Sequence, residues 1–142
     1  MPYLSLWVHV VWSTKDRAPI LLQGVREEIF RHIKENGHLK NIYVDVVNGH
    51  IDHVHCLLSL KANHNIATVV RLLKGECSHW ANQHRLLPGR LDWQDEYFAV
   101  SVSASAVGRV RIYILNQEEH HLAKSFQHEY DQFVKLYGFK KF

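Results

Sequence analysis

The chain has 142 residues, 46% of them hydrophobic and 22% charged, with a formal net charge of +3 and a pI near 8.9. That is enough chain for one buried core, and the balance excludes a disordered or fibrous protein and a histone-like basic coat, while permitting a nucleic-acid partner. The longest apolar run, around Leu4–Trp12, is too short to span a membrane and is broken by Ser5 and His9.

No internal repeat, low-complexity tract or Pro/Gly-rich linker divides the sequence, so residues 1–142 read as a single domain. Tyr3–Ser13 is a β-branched and aromatic run closed by the polar stretch "STKDRAP". Val25–Asn36 has helical periodicity in Val25, Ile29 and Ile33, and Gly37 stands where a C-terminal cap belongs. Asn41–Val47 predicts a second strand ended by the turn signal Asn48-Gly49, and His53–Leu60 a third. Asn65–Gln83 reads as a helix with Ile66, Val69, Val70, Leu73 and Trp80 facing inward. After the loop "LLPGRLDWQDE" comes a fourth strand, Glu96–Val102. Ser103 or Ser105 would cap a helix to about His121, and Ser125–Tyr137 predicts one more.

The order β-α-β-β-α-β followed by helices predicts an α+β, ferredoxin-like domain: an antiparallel sheet with helices packed on a face, then a C-terminal helix and a short helical tail. Period-two alternation assigns Leu4, Leu6, Val8, Val10, Ile42, Val44, Val46, Val54, Cys56, Leu58, Leu60, Phe98, Val100 and Val102 to one apolar face. The other face is mixed: Ser5, Trp7, His9, Val11, Tyr43, Asp45, Val47, His53, His55, Leu57, Tyr97, Ala99 and Ser101. The mixed face is the one available for chemistry. Only two cysteines occur, without metal-type spacing, and no secretory leader is visible, so a reduced, cytoplasmic setting is expected.

Within "HIDHVHCLL", His53 and His55 point the same way while Val54 points inward. Such a pair can close on one metal ion with help from a neighbouring strand or helix, or can simply hydrogen-bond on a half-buried sheet. Asp52 beside the pair, with His9 and Asp45 on the same face, could orient the imidazoles or remain solvated.

"DHVHCLLSL" resembles the HUH motif (His, bulky apolar, His) of the single-tyrosine transposases of the insertion sequence 200/605 family and their relatives associated with repetitive extragenic palindromes. "HVVWSTKDRAPIL" is similar to that family's first strand and basic loop, and "YFAVSVSASAVGRVRIYILNQEEHHLAKSFQHEY" to its fourth strand, catalytic helix and tail. The likeness covers nearly the whole chain in the family's order. Two departures are the short tail and the lack of acidic residues in "SASAVGRV".

The resemblance implies a nucleophilic tyrosine followed one turn later by a polar metal ligand. In "RVRIYILNQEEHH" these are Tyr113 and Gln117, at the edge of a helical face formed by Val107, Val110, Ile114 and Leu122. Tyr3, Tyr43, Tyr97, Tyr130 and Tyr137 fit less well. The implied activity is cleavage of single-stranded DNA hairpins at element ends by Tyr113, giving a 5′-phosphotyrosine link and a 3′-hydroxyl that can reverse the step. Mg2+ or Mn2+ would be held by His53, His55 and Gln117, although imidazole suits manganese better than magnesium. The resemblance further implies a homodimer in which the tyrosine helix of one subunit completes the histidine site of the other, in a bacterial or archaeal cytoplasm. DNA contacts are expected from Lys15, Arg17, Arg71, Lys74, Arg109 and Arg111, with Trp12, Trp80 and Trp93 available for stacking.

Two rival classes lack their signatures: the aromatic RNP strand of a single-strand-binding sheet, and the second His-x-Ser/Thr strand of a two-histidine phosphoesterase. A domesticated relative that binds DNA or RNA hairpins without transposing could keep every catalytic residue, and stays open at this point.

Overall fold

In the computed structural model, which describes residues 2–118, 125, 127–129 and 131, the chain forms a four-stranded antiparallel sheet with helices on both faces. The elements are β1 (Trp7–Ser13), α1 (Val25–Leu39), β2 (Tyr43–Gly49), β3 (His53–Ser59), α2 (Ile66–Gln83), β4 (Phe98–Val102) and α3 (Val107–Leu115). Strand order is β2-β3-β1-β4. The α+β class expected from the sequence is therefore present. Among the described residues, no helix is long and apolar enough to cross a membrane.

Helices α1 and α2 cover one face. Their inward residues Ile29, Phe30, Ile33, Val69, Val70 and Leu73 pack on Val10, Trp12, Val44, Val54, Cys56 and Leu58. Helix α2 begins on Asn65, whose side chain accepts a hydrogen bond from the Thr68 amide at 3.2 Å and so satisfies one orphan donor of the first turn. Helix α1 runs through Gly37 rather than ending there. A Cβ at Gly37 would lie 2.7 Å from Val44 Cγ2, so glycine is required for close approach of helix to sheet. The left-handed capping residue is Asn41 (φ 60), with Ile42 N–H donating to Gly37 O and Asn41 N–H to His38 O, a Schellman pattern.

Several expectations are corrected. β1 starts at Trp7, and Leu4 and Leu6 are each 47% exposed rather than part of the core. Asn48-Gly49 is not the hairpin turn: both residues stay in β2, and the chain reverses through residues 50–52, closed by His50 N–H donating to His53 O at 3.1 Å. The side chains of Ser103 and Ser105 cap no helix. A 3-10 turn at Ala104–Ala106 leads into α3, and the predicted continuation to His121 and most of the predicted helix at Ser125–Tyr137 lie outside the described residues.

The face assignment also changes, for a physical reason. Val44 pairs with Leu58 and Val46 with Leu57, so Asp45 is an extra residue that reverses the alternation of β2. Val46 and Asn48 thereby join His55 on one face, and Val47 turns to the α1/α2 core. On β4, Phe98 pairs with Val11, Val100 with His9 and Val102 with Trp7, which puts these three on the histidine face. Ala99 and Tyr97 pack against the opposite core.

That histidine face is largely covered by α3. Val107, Val110 and Ile114 pack on Leu57, Val46 and Val102. The helix is fastened at two further points. Asn48 Nδ2 donates to the carbonyls of Ile114 and Leu115, both at 3.0 Å, satisfying acceptors left open at a helix end. Arg111 makes a two-pronged ion pair with Asp45 at 2.7 and 2.8 Å, which raises the guanidinium pKa through the hydrogen bond and charge of that carboxylate.

Candidate metal and nucleophile site

β3 is flanked by strands on both sides, and its histidines are 0% exposed. Burying two imidazoles costs free energy unless their nitrogens are partnered. His53 Nδ1 lies 2.8 Å from Asp52 Oδ1, and His53 Nε2 lies 3.2 Å from Gln117 Oε1. His55 Nδ1 lies 2.8 Å from His9 Nε2, and His55 Nε2 lies 3.0 Å from Glu129 Oε1. Each histidine thus holds an outer group on Nδ1 and turns Nε2 to a common centre, where Glu129 also reaches within 3.9 Å of His53 Nε2.

His9 is suited to its position. Burial pushes its pKa down from 6.5 to about 3, and the neighbouring His55 adds to that, while Glu129 opposes it. Held neutral, His9 can accept the Nδ1 proton of His55 and leave the Nε2 lone pair of His55 free of a proton. The same shift affects stability. The unfolded state takes up this proton below about pH 6.5 and the folded state does not, so stability falls as pH drops from 6.5 toward 3. In metal-free urea titrations, moving from pH 6.5 to pH 5 is expected to cost the wild type about 2 kcal/mol more than it costs His9→Gln. Equal losses in the two proteins would remove His9 as the cause.

Tyr113, in the last turn of α3, meets this centre. Its hydroxyl donates to Glu129 Oε1, and its ring stands edge-on to His55 with centroids 5.8 Å apart. Gln117 follows beyond the end of α3, donates from Nε2 to Tyr113 O at 3.4 Å, and is 0% exposed. Arg26, from the first turn of α1, holds the adjacent Glu118 at 2.7 Å. His53, His55, Tyr113 and Gln117, expected to act together, are brought together within one chain.

The residue that sequence reasoning missed is Glu129. It is 1% exposed and contacts both histidines and the tyrosine. Ligand atoms of His53, His55 and Glu129 lie within 4.8 Å of one another. The donor set fits a divalent cation. When His53 donates its Nδ1 proton to Asp52, its Nε2 and Gln117 Oε1 are two acceptors facing each other, an arrangement that a cation relieves. Two imidazoles with carboxylate and amide oxygens suit manganese better than magnesium.

Other expected site residues lie elsewhere. Asp45 binds Arg111 instead of a histidine. Lys74 Nζ donates to the carbonyls of Gln94 and Asp95, tying α2 to the loop before β4. Arg71 and Arg109 are exposed, Lys15 is exposed in the 3-10 turn after β1, and Arg17 donates to Gln127 Oε1. The tryptophans pack: Trp12 is 1% exposed, Trp80 stacks on His32 at 3.7 Å, and Trp93 donates to Lys74 O.

The chain is 28% identical over 124 residues to the ISDra2 transposase TnpA of Deinococcus radiodurans, an alignment covering 81% of this chain and 86% of the relative. A Deinococcus radiodurans structure described as a transposase superposes with a TM-score of 0.64 at 26% identity, covering 82% of this chain and 93% of the other. A REP-associated tyrosine transposase bound to a REP hairpin shares the fold, with a TM-score of 0.62 at 16% identity over 85% of this chain and 72% of that one. The sequence pattern of the family described as "Transposase IS200 like" matches residues 3–117, and the chain belongs to that family.

Proposed function

We propose that this transposase cleaves and rejoins single-stranded DNA hairpins at the ends of an element, through a 5′-phosphotyrosine intermediate on Tyr113. The observation that carries this reading is the meeting of the Tyr113 hydroxyl with the buried His53 and His55 pair at one carboxylate, Glu129. A hairpin substrate is supported by the structural neighbour solved with a REP hairpin.

His53, His55 and Gln117 would hold Mg2+ or Mn2+, with Glu129 as a further oxygen donor. Once bound, the cation supplies charge stabilisation at a non-bridging phosphate oxygen. A tyrosine hydroxyl is ordinarily protonated near neutral pH, so the proton of Tyr113 must leave as the oxygen attacks. The Glu129 carboxylate already accepts that hydrogen bond and is placed to take the proton. The new bond joins Tyr113 Oη to phosphorus, the bond from phosphorus to the 3′-oxygen breaks, and attack by a 3′-hydroxyl reverses both. His9 and Asp52 hold the imidazole tautomers that leave Nε2 available. Lys15, Arg17 and Arg109 are the cations we assign to phosphates, with Arg71 on the α2 side.

The resemblance extends to a homodimer with exchanged tyrosine helices. Here Tyr113 lies against His55 of its own chain, so exchange would have to release the Arg111–Asp45 and Asn48 contacts. To test the reading, the protein is incubated with 3′-labelled hairpin DNA and manganese and run under denaturing conditions. The expected result is a shifted, denaturant-resistant band that EDTA prevents and added manganese restores. No band with any hairpin from the flanks of its own gene would overturn the cleavage reading.

A further inference from the structure

The histidine face continues past the site just described. Val11 lies opposite His55 and Ser13 opposite His53 across the β1–β3 ladder, and Phe98 lies opposite Val11 on β4. These side chains share the face of the pair. Together with Arg17, Gln94 and Glu96, residues Val11, Ser13 and Phe98 line a groove of about 410 Å³ that opens beside the histidines. The volume is in the range of small-ligand pockets, about 300–1,000 Å³.

Three observations say what belongs there. The first is direction. On the β2 side, α3 closes the face through Val46, Asn48 and the Asp45–Arg111 pair. The remaining exit runs toward β1 and β4, where a strand would pass beside the tail residues Gln127 and Glu129 that bond Arg17 and His55, and Phe98 is two strand spacings from His55, about 10 Å.

The second is chemistry. The groove is lined by two aromatic residues, Phe98 and Tyr97, by the Gln94 amide and by two acidic residues, Glu96 and Asp16, with the Arg17 guanidinium on its wall. The Glu96 carboxylate repels phosphate but accepts hydrogen bonds from the amino group of a base, as acidic side chains do toward cytosine. The third is backbone strain. Asp16 and Arg17 both hold left-handed φ values, 55 and 53, on the groove wall. Non-glycine residues keep such conformations where the surroundings demand them, often at ligand sites. Here Arg17 N–H donates to Thr14 O at 3.0 Å and Asp16 N–H to Gln94 Oε1 at 3.2 Å.

We infer that this groove takes the unpaired base next to the scissile phosphate, stacked on Phe98, and that Glu96 favours a base with an exocyclic amine over thymine. The inference rests on the reading of Tyr113 and the histidine pair as a strand-cleaving centre, and adds to it a base-specific subsite.

The test walks an abasic site through the single-stranded flank of a hairpin oligonucleotide taken from the flanks of its own gene. Binding is read by fluorescence anisotropy and reaction by the rate of adduct formation with manganese. One flanking position is expected to cost the wild type about tenfold in affinity when abasic, within the range of base–aromatic stacking. That penalty should vanish in Phe98→Ala and in Phe98→Leu, the second of which keeps apolar bulk if the first folds poorly. Thymine at the same position should weaken wild-type binding but not Glu96→Gln. The groove assignment is overturned if every abasic penalty is the same in wild type and both Phe98 variants, or if the wild type binds no flank at all. A Phe98-dependent position in a protein that makes no adduct would sink the cleavage reading and leave the groove standing. Adduct formation without Phe98 dependence would do the reverse.

Discussion

Tyr113→Phe is expected to abolish the covalent protein–DNA adduct while leaving hairpin binding within about twofold of wild type. Removing a covalent nucleophile that acts as a unit with its partners lowers rates by factors on the order of 10⁴ or more, below detection in a gel assay. The fold should tolerate the change, because the ring keeps its edge-on packing on His55 and His9 and its place beside Leu57, Val107 and Ile114. Among the described residues, the interaction lost is the hydroxyl's bond to Glu129, a carboxylate only 1% exposed. Losing a donor to such a group costs about 1–3 kcal/mol, a visible drop in thermal midpoint that should shrink when manganese neutralises the carboxylate. An adduct at wild-type yield in Tyr113→Phe would move the nucleophile elsewhere. Tyr43 shares the face, but it is 49% exposed and stands edge-on to Trp7, 6.1 Å away.

What could be read in advance was whatever depends on short spacing. His53 and His55 sit two apart on a strand, so alternation alone aims them together, and Tyr113 and Gln117 sit four apart, so one helical turn does the same. His9 and Asp52 were legible as orienting groups because the first shares the sheet face and the second adjoins the pair. The misreadings came from features that break a period. The extra residue at Asp45 inverts everything after it on β2, so Val46 and Val47 exchange faces. Strand β4 carried no marker of its own parity, since Phe98, Ala99, Val100 and Val102 are apolar on both sides. Asn48-Gly49 has the composition of a turn, yet Asn48 is spent on the carbonyls ending α3, a contact 66 residues distant that no local pattern announces. Glu129 is the same kind of miss. Its role follows from where the tail lies against the site, and "SFQHEY" shows a single acidic side chain beside His128, at no spacing that ties it to His53 and His55.

Gly49→Ala is expected to be the most damaging single-methyl change in the sheet. Gly49 pairs with Val54 at the end of the β2–β3 ladder, just before the reversal at residues 50–52. A Cβ there would stand 2.1 Å from His53 O and 3.1 Å from Phe30 Cζ. The first of these is backbone and accepts the His50 amide, so it cannot rotate aside as a side chain could. Relief requires moving the His53 peptide, and overpacking that shifts backbone costs about 1–3 kcal/mol or somewhat more. The same shift carries the His53 imidazole off Asp52 and Gln117, which meet it at 2.8 and 3.2 Å. Stability and cation affinity should therefore fall together, and a weakened ligand position is worth about 10- to 100-fold in metal binding. Gly75, where an added methyl would meet nothing within 4 Å, is the matched control, and Gly75→Ala should leave both properties intact or slightly raise helix stability. Thermal melts with and without manganese separate the two effects: Gly49→Ala should show a lower midpoint and a smaller manganese-induced rise than wild type. A Gly49→Ala protein with both values unchanged would mean that the β2–β3 reversal does not hold His53 as tightly as this packing requires.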